Sequence, residues 1–245
     1  MNSFRIGIAG LVTQIQPLFE STAAYCRNYL CEQMPDFFIS VTEADLRFEQ
    51  RMLDLEADEE GMKRRKFTDP FLERTAIQRK IADELIKRDT LLLHGSAVAV
   101  DGEAYLFTAT CGTGKSTHTR LWREVFGDRA VMVNDDKPFL QITQSGVIAH
   151  GAPWSGKHGL DTNISLPLKG ICVLRRGSQN VIERAEPETV LPMLRHESHL
   201  PEEEGARERG NDLVEKLAAT VPLWEMHCTP TQEAAKIAYQ AMAGK

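Results

Sequence analysis

A chain of 245 residues, 42% hydrophobic and 26% charged, is long enough for one large α/β domain, or a domain with an appended subdomain, built on a sizeable core. Its net charge of −6 argues against a dedicated nucleic-acid binder, because affinity for a phosphate backbone needs a basic face. No apolar run reaches 18 residues, and residues 4–12 lack a basic lead-in and a cleavage site, so the sequence reads as a cytoplasmic protein with no membrane partner.

Five scattered cysteines, Cys26, Cys31, Cys111, Cys172 and Cys228, form no CxxC pair and suit the same reducing compartment. In chain order, residues 3–12 alternate as a strand, 17–34 carry apolar residues at spacings compatible with a helix, and 37–41 give a second strand. The doubly charged stretch 43–66 reads as a solvated connection. Residues 70–88 then give an amphipathic helix opened by Asp69 and Pro70. An N-terminal α/β segment over 1–69 is therefore expected to pack on or beside a core over 70–245.

That core starts with apolar pieces at 91–93 and 97–100, a turn at Asp101 and Gly102, and a returning strand at 103–108. The segment ATCGTGKS follows, then a helix to about residue 126 and an apolar run at 130–133 that ends in Asn134, Asp135 and Asp136. Residues 138–143 and 147–150 suggest another hairpin, so the sheet is expected to be mixed. The loop GAPWSGKHGLDTN, residues 151–163, offers Lys157 and His158 to a phosphate and Trp154 as a flat stacking surface. A central strand at 168–174 runs into Arg175 and Arg176, either of which would reach phosphate. Helices at 187–196, 210–220 and 231–242, with a last strand at 221–228, complete the chain. His196 and His199 beside Glu197 have the spacing of a metal clasp, without an evident third and fourth ligand.

The chemistry concentrates between residues 94 and 136. A bare GK[ST] arises by chance in roughly one chain in ten at average residue usage, so the weight lies on its setting: strand before, helix after, paired aspartates on the next strand. In that setting Thr110, Cys111, Gly112, Thr113, Gly114, Lys115, Ser116 and Thr117 form a loop whose backbone amides curl around a polyphosphate at a helix N-terminus. Lys115 reaches the β- and γ-phosphates, and the Ser116 hydroxyl takes Mg2+. Carboxylates at the end of a neighbouring strand supply the anionic ligand a nucleotide metal needs. Ala109 stands where such loops open on glycine.

His94, Gly95 and Ser96 before a hairpin, then TATCGTGKST, then VNDD, resemble the catalytic core shared by HPr kinase/phosphorylase and the phosphoenolpyruvate carboxykinases, over roughly residues 90–176. The resemblance implies an α/β fold with a mixed β-sheet P-loop kinase core of that type and flanking helices. It also implies an ATP- or GTP-dependent phosphotransferase using Mg2+ and acting on a hydroxyl of a protein, peptide or small molecule. In those families a histidine before the loop and an aspartate pair after it surround the metal and the transferred group. Carried over, Asp136 with Ser116 holds Mg2+, Asp135 is the base for the acceptor hydroxyl, Lys115 neutralises charge, and His94 is a metal ligand or donor. The opposite assignment of the two aspartates stays open. The chain is short for a carboxykinase, and that activity is not carried over. A non-catalytic nucleotide-binding regulator and a reversible kinase/phosphorylase stay open as rivals, as does a homo-oligomer.

Overall fold

The computed structural model describes residues 2–59 and 61–244. The chain divides into two compact units, Met1–Glu84 and Leu85–Lys245.

The first unit begins with β1 (Phe4–Ile8) and β2 (Leu11–Gln16) as an antiparallel hairpin, with β3 (Phe37–Ser40) parallel to β2. The single strand expected over 3–12 is therefore two. Ala9 and Gly10 have φ of 52° and 75°, the consecutive left-handed pair that a two-residue hairpin turn needs. Where a helix was expected over 17–34, only α1 (Ser21–Tyr25) and a 3-10 turn, Arg27–Tyr29, form. Leu30 and Cys31 leave the helical path to bond the edge of β1, with the Cys31 N–H donating to the Arg5 carbonyl at 3.1 Å.

The expected solvated connection is also corrected: α2 (Glu43–Glu59) fills most of it. Thr42 and Asp45 cap its start reciprocally, the Thr42 N–H donating to Asp45 at 2.8 Å. Its charges find partners on α3 (Asp69–Ile86): Glu49 with Arg79 at 2.6 Å, and Asp45 with Lys80 at 2.9 Å. Buried Glu73 of α3 accepts the backbone N–H groups of Leu18 and Phe19 and the Thr22 hydroxyl. Through these bonds α3 gives all but its last two residues to the first unit, and the boundary falls after Glu84 instead of at the expected 69/70.

The second unit is a curled mixed sheet with flanking helices. Its elements are β4 (Thr90–Leu92), β5 (Ser96–Val100), β6 (Glu103–Thr108), α4 (Lys115–Phe126), β7 (Ala130–Asn134), β8 (Phe139–Thr143), β9 (Gly146–His150), β10 (Ser165–Arg176), β11 (Val181–Arg184), α5 (Pro187–Glu197), α6 (Glu204–Thr220), β12 (Leu223–Cys228) and α7 (Gln232–Ala243). Strand order is β4-β8-β9-β10-β6-β5-β7, with β12 on β10 and β11 on β12. The long β10 pairs first antiparallel with β9, then, past an irregularity between Leu168 and Gly170, parallel with β6 and β12. β11 was not expected: its residues are mostly exposed, and it carries little apolar alternation.

Period-two alternation sorts the sheet's side chains into two cores. Ala97, Ala99, Ala104 and Leu106 join Leu194 of α5 and Leu213, Val214 and Leu217 of α6. Val98, Val100, Tyr105 and Phe107 join Leu121 and Trp122 of α4 and Ala235, Ala238 and Tyr239 of α7. Among the described residues no helix is long and apolar enough to cross a membrane.

Because β5 runs antiparallel to both of its neighbours, β6 and β7 point the same way. Their C-terminal ends, the C-terminal end of β10 and the start of β5 therefore share one edge of the sheet. That edge is where ligands bind in open α/β sheets.

Candidate active site

The turn from β6 into α4 needs backbone conformations that side chains resist: Gly112 and Gly114 have φ of 72° and 121°. Ala109 is fully buried in the α4/α7 core and does not have positive φ, so this loop opens on a packed methyl and not on a left-handed glycine. The hydroxyls of Thr110 and Thr113 lie 2.9 Å apart, and the Thr113 N–H donates to the Thr110 carbonyl at 3.2 Å. The Lys115 ammonium folds back across the loop to the Ala109 carbonyl at 2.9 Å. Of the two arginines ending β10, Arg176 donates to the Gly112 carbonyl at 2.7 Å, whereas Arg175 pairs with Glu225 at 2.9 Å.

At the end of β7, Asn134 fixes the turn. Its amide donates to the carbonyls of Ala152 and Trp154, at 2.8 and 3.1 Å, and its side-chain oxygen accepts the N–H groups of Asp136 and Lys137. The aspartate turn and the 151–163 loop are thereby one structure. Asp135 is buried and accepts a hydrogen bond from the Ser96 hydroxyl at 2.7 Å, and the same hydroxyl lies 2.8 Å from Thr119 on α4. The Asp135 N–H donates to the Leu160 carbonyl at 3.0 Å.

Asp136 is half-buried, with one oxygen 3.5 Å from Nε2 of His94. The other ring nitrogen of His94, Nδ1, lies 2.8 Å from buried Glu197, and the His94 N–H donates to the Glu197 carbonyl at 2.7 Å. The Glu197 carboxylate at Nδ1 fixes the ring plane and leaves Nε2 facing Asp136. Burial pushes the Glu197 carboxyl up, but hydrogen bonds from His94 and His196 and the charges of His94 and Lys115 outweigh it, so the group lies below its usual value.

One cavity of about 540 Å3 collects these parts. Of the residues expected at the site, His94, Cys111, Gly112, Gly114, Lys115, Ser116, Thr117, Asp135 and Asp136 line it, and so do Lys157 and His158. Thr110 and Thr113 are outside the lining and brace the loop through each other. Trp154 offers no stacking face, because it is buried beneath the loop. Sequence reasoning missed Arg120 and Arg123; it named Glu197 only beside His196 and His199, and it quoted Ser96 without giving it a role. Arg120 and Arg123 were visible as neighbours of Ser116 at helical spacing, i+4 and i+7.

The clasp that the spacing of His196 and His199 allowed does not form. Among the described residues no group of three His, Cys, Asp or Glu side chains is placed to hold a metal, and Glu197 turns to His94 instead. The donors around the cavity, a hydroxyl and two carboxylates, are the hard oxygens that suit Mg2+, an ion that keeps waters and takes substrate phosphate oxygens to complete its shell.

No protein-family model matches the chain, and no curated protein matches it. Among solved structures, the Hpr(Ser) kinase/phosphatase from Coxiella burnetii is similar over 62% of this chain and 93% of that one, with 12% identity and a TM-score of 0.35. At that overlap no residue is carried across. The cavity itself brings the loop at the start of α4, an ammonium, two adjacent carboxylates and the His94 imidazole to one space.

Proposed function

We propose that the protein is an ATP- or GTP-dependent kinase, with a P-loop core of the HPr kinase/phosphoenolpyruvate carboxykinase type, that transfers a γ-phosphoryl group to an acceptor hydroxyl. The observation that carries this reading is the convergence of Lys115 and Ser116, from the turn after β6, with Asp135 and Asp136, from the end of β7, on a single cavity. Phosphoryl transfer asks for little covalent help, and a site performs it by aligning the acceptor and neutralising charge.

Lys115 gives up its bond to the Ala109 carbonyl and meets the phosphates, while the loop amides and the start of α4 hold them. Ser116 and Asp136 would hold the Mg2+ that accompanies the nucleotide, and the ion would supply neutralisation of charge on the phosphate oxygens. Asp135, aimed by the Ser96 hydroxyl, takes the proton of the acceptor hydroxyl as that oxygen attacks the γ-phosphorus and the bond to the β,γ-bridging oxygen breaks, releasing the nucleoside diphosphate. His94, oriented by Glu197, stands beside Asp136 at the same end of the cavity.

Transfer from ATP and GTP to candidate hydroxyl acceptors, with calorimetry of Mg-nucleotide binding, tests this. Asp135→Asn should lower transfer by about 10²- to 10⁴-fold, the range of a general base, and keep nucleotide affinity. Asp136→Asn should instead weaken the Mg2+-dependent part of binding, and the opposite pattern exchanges the two roles. Tight nucleotide binding with no turnover on any acceptor, in either direction, would replace the kinase by a nucleotide-binding regulator.

A further inference from the structure

We propose that the acceptor carries an anionic group, a phosphate or a carboxylate, beside its reacting hydroxyl, and that Arg123, Arg120, Lys157 and His158 receive it. The proposal rests on the kinase reading and names the substrate class of that same site.

Besides the loop residues Gly112, Gly114 and Lys115, which would serve the nucleotide phosphates, the cavity is lined by Arg120 and Arg123 of α4 and by Lys157 and His158 of the 151–163 loop. Arg123 lies two helical turns beyond Ser116, about 10 Å along the axis at 1.5 Å per residue, beyond the reach of the loop's own anion-binding amides.

Helical periodicity says which way these arginines face. Ser116, Thr119, Arg120 and Arg123, at i, i+3, i+4 and i+7, share one stripe of α4. Thr119 on that stripe lies 2.8 Å from the Ser96 hydroxyl, which donates to Asp135. The opposite wall is tied to the aspartates as well: the Leu160 carbonyl accepts the Asp135 N–H, and a Cβ on Gly156 would sit 3.2 Å from Cβ of Asp136. Both cationic pairs therefore flank the aspartate end, where the acceptor must stand.

Their bonding state points to a ligand. The Nε of Arg123 is buried and has no hydrogen-bond partner among the described residues, although a buried donor without one is costly. Arg120 is shared with Glu124 one turn on, which leaves Arg123 and Lys157 as the more available charges. An anionic acceptor would be repelled by Asp135 and Asp136, so flanking cations are what its approach requires. A guanidinium fork suits either a phosphate or a carboxylate.

The test saturates the protein with Mg2+ and a non-hydrolysable β,γ-imido nucleotide, so that the cup is filled, and titrates inorganic phosphate and, separately, succinate by calorimetry. At least one anion should bind. Arg123→Ala and Lys157→Ala should each weaken it about tenfold or more, the loss of one charge-assisted contact, with Mg-nucleotide affinity changed less than about twofold. Binding of phosphate alone assigns a phosphate-bearing acceptor; binding of succinate alone, a carboxylate-bearing one. No binding of either anion, or unchanged binding in both variants, overturns the proposal. Loss of Mg-nucleotide affinity in the variants also overturns it, by giving these cations to the nucleotide. A wild-type protein that takes up no Mg-nucleotide fails earlier, at the loading step, and defeats the kinase reading itself.

Discussion

Glu197 touches the cavity only through His94, yet it decides how that imidazole is presented. Its folded carboxyl lies below the free value of 4.5, because the partners His94, His196 and Lys115 outweigh the effect of burial. A carboxylate with a lowered folded pKa contributes stability above its unfolded value and loses it as pH falls through the folded one. Glu197→Gln should therefore flatten the acid side of a melting-temperature curve below about pH 4.5. It should also lower transfer roughly 10- to 100-fold with nucleotide affinity kept, the usual cost of an orienting partner; full activity in Glu197→Gln would reduce the contact to packing. His118 behaves differently. Burial in the α4/α7 core pushes its pKa down to about 4, and its Nε2 accepts the Trp122 indole N–H at 3.1 Å. The unfolded chain binds the proton that the folded one refuses, so stability falls as pH drops from about 6.5 toward 4, by roughly 2 kcal/mol between pH 7 and 5. Urea denaturation at those two pH values should show that loss in wild type, and His118→Gln should remove it from the slope. The phosphate loop was legible at this scale because its signal is local. Glu197 was not, because its partner lies beyond α4 and several strands in the sequence, and nothing in residues 196–199 points to His94.

The 151–163 loop carries half of the proposed acceptor end, and Gly151 is where it closes. The Gly151 N–H donates to the Ile164 carbonyl at 3.0 Å, and a Cβ there would come within 1.9 Å of the Thr162 carbonyl oxygen. Gly151→Ala must push the two loop ends apart. It should cost at least about 2 kcal/mol and weaken anion binding through displacement of Lys157 and His158. Gly159, in the same loop, has φ of 60° and open space around it, so Gly159→Ala should cost only the left-handed backbone, about 1 kcal/mol. Chemical denaturation of the pair separates steric closure from backbone strain, and equal costs would remove the closure argument. Elements with strong local signatures could be read in advance: the Asp101–Gly102 turn, the strands it joins, the helix after the loop. α2 could not, because its many charges look solvated until Arg79 and Lys80 of α3 supply their partners. Among the described residues β11 pairs only with β12, and it keeps an exposed face, so neither alternation nor hydrophobicity announced it.

The division of the chain after Glu84 sets what a ligand can stabilise, because every residue lining the cavity belongs to the second unit. A nucleotide that binds only the folded form adds about 2.7 kcal/mol of stability at a concentration one hundred times its Kd. A nucleotide in the proposed site would hold the turn after β6 to the end of β7, and β5 lies hydrogen-bonded between those two strands, so the added protection should spread through the sheet and α4. Hydrogen exchange with saturating Mg-nucleotide should therefore slow by up to about a hundredfold in β5, β6, β7, α4 and the 151–163 loop, while β1, β2 and β3 exchange as before. Lys115→Ala should erase the effect without altering exchange in the absence of nucleotide. A protection gain centred on the first unit would contradict the site itself, since none of its described residues lines the cavity. An equal gain in both units would mean that they open together, and the two-unit division would then have no thermodynamic counterpart.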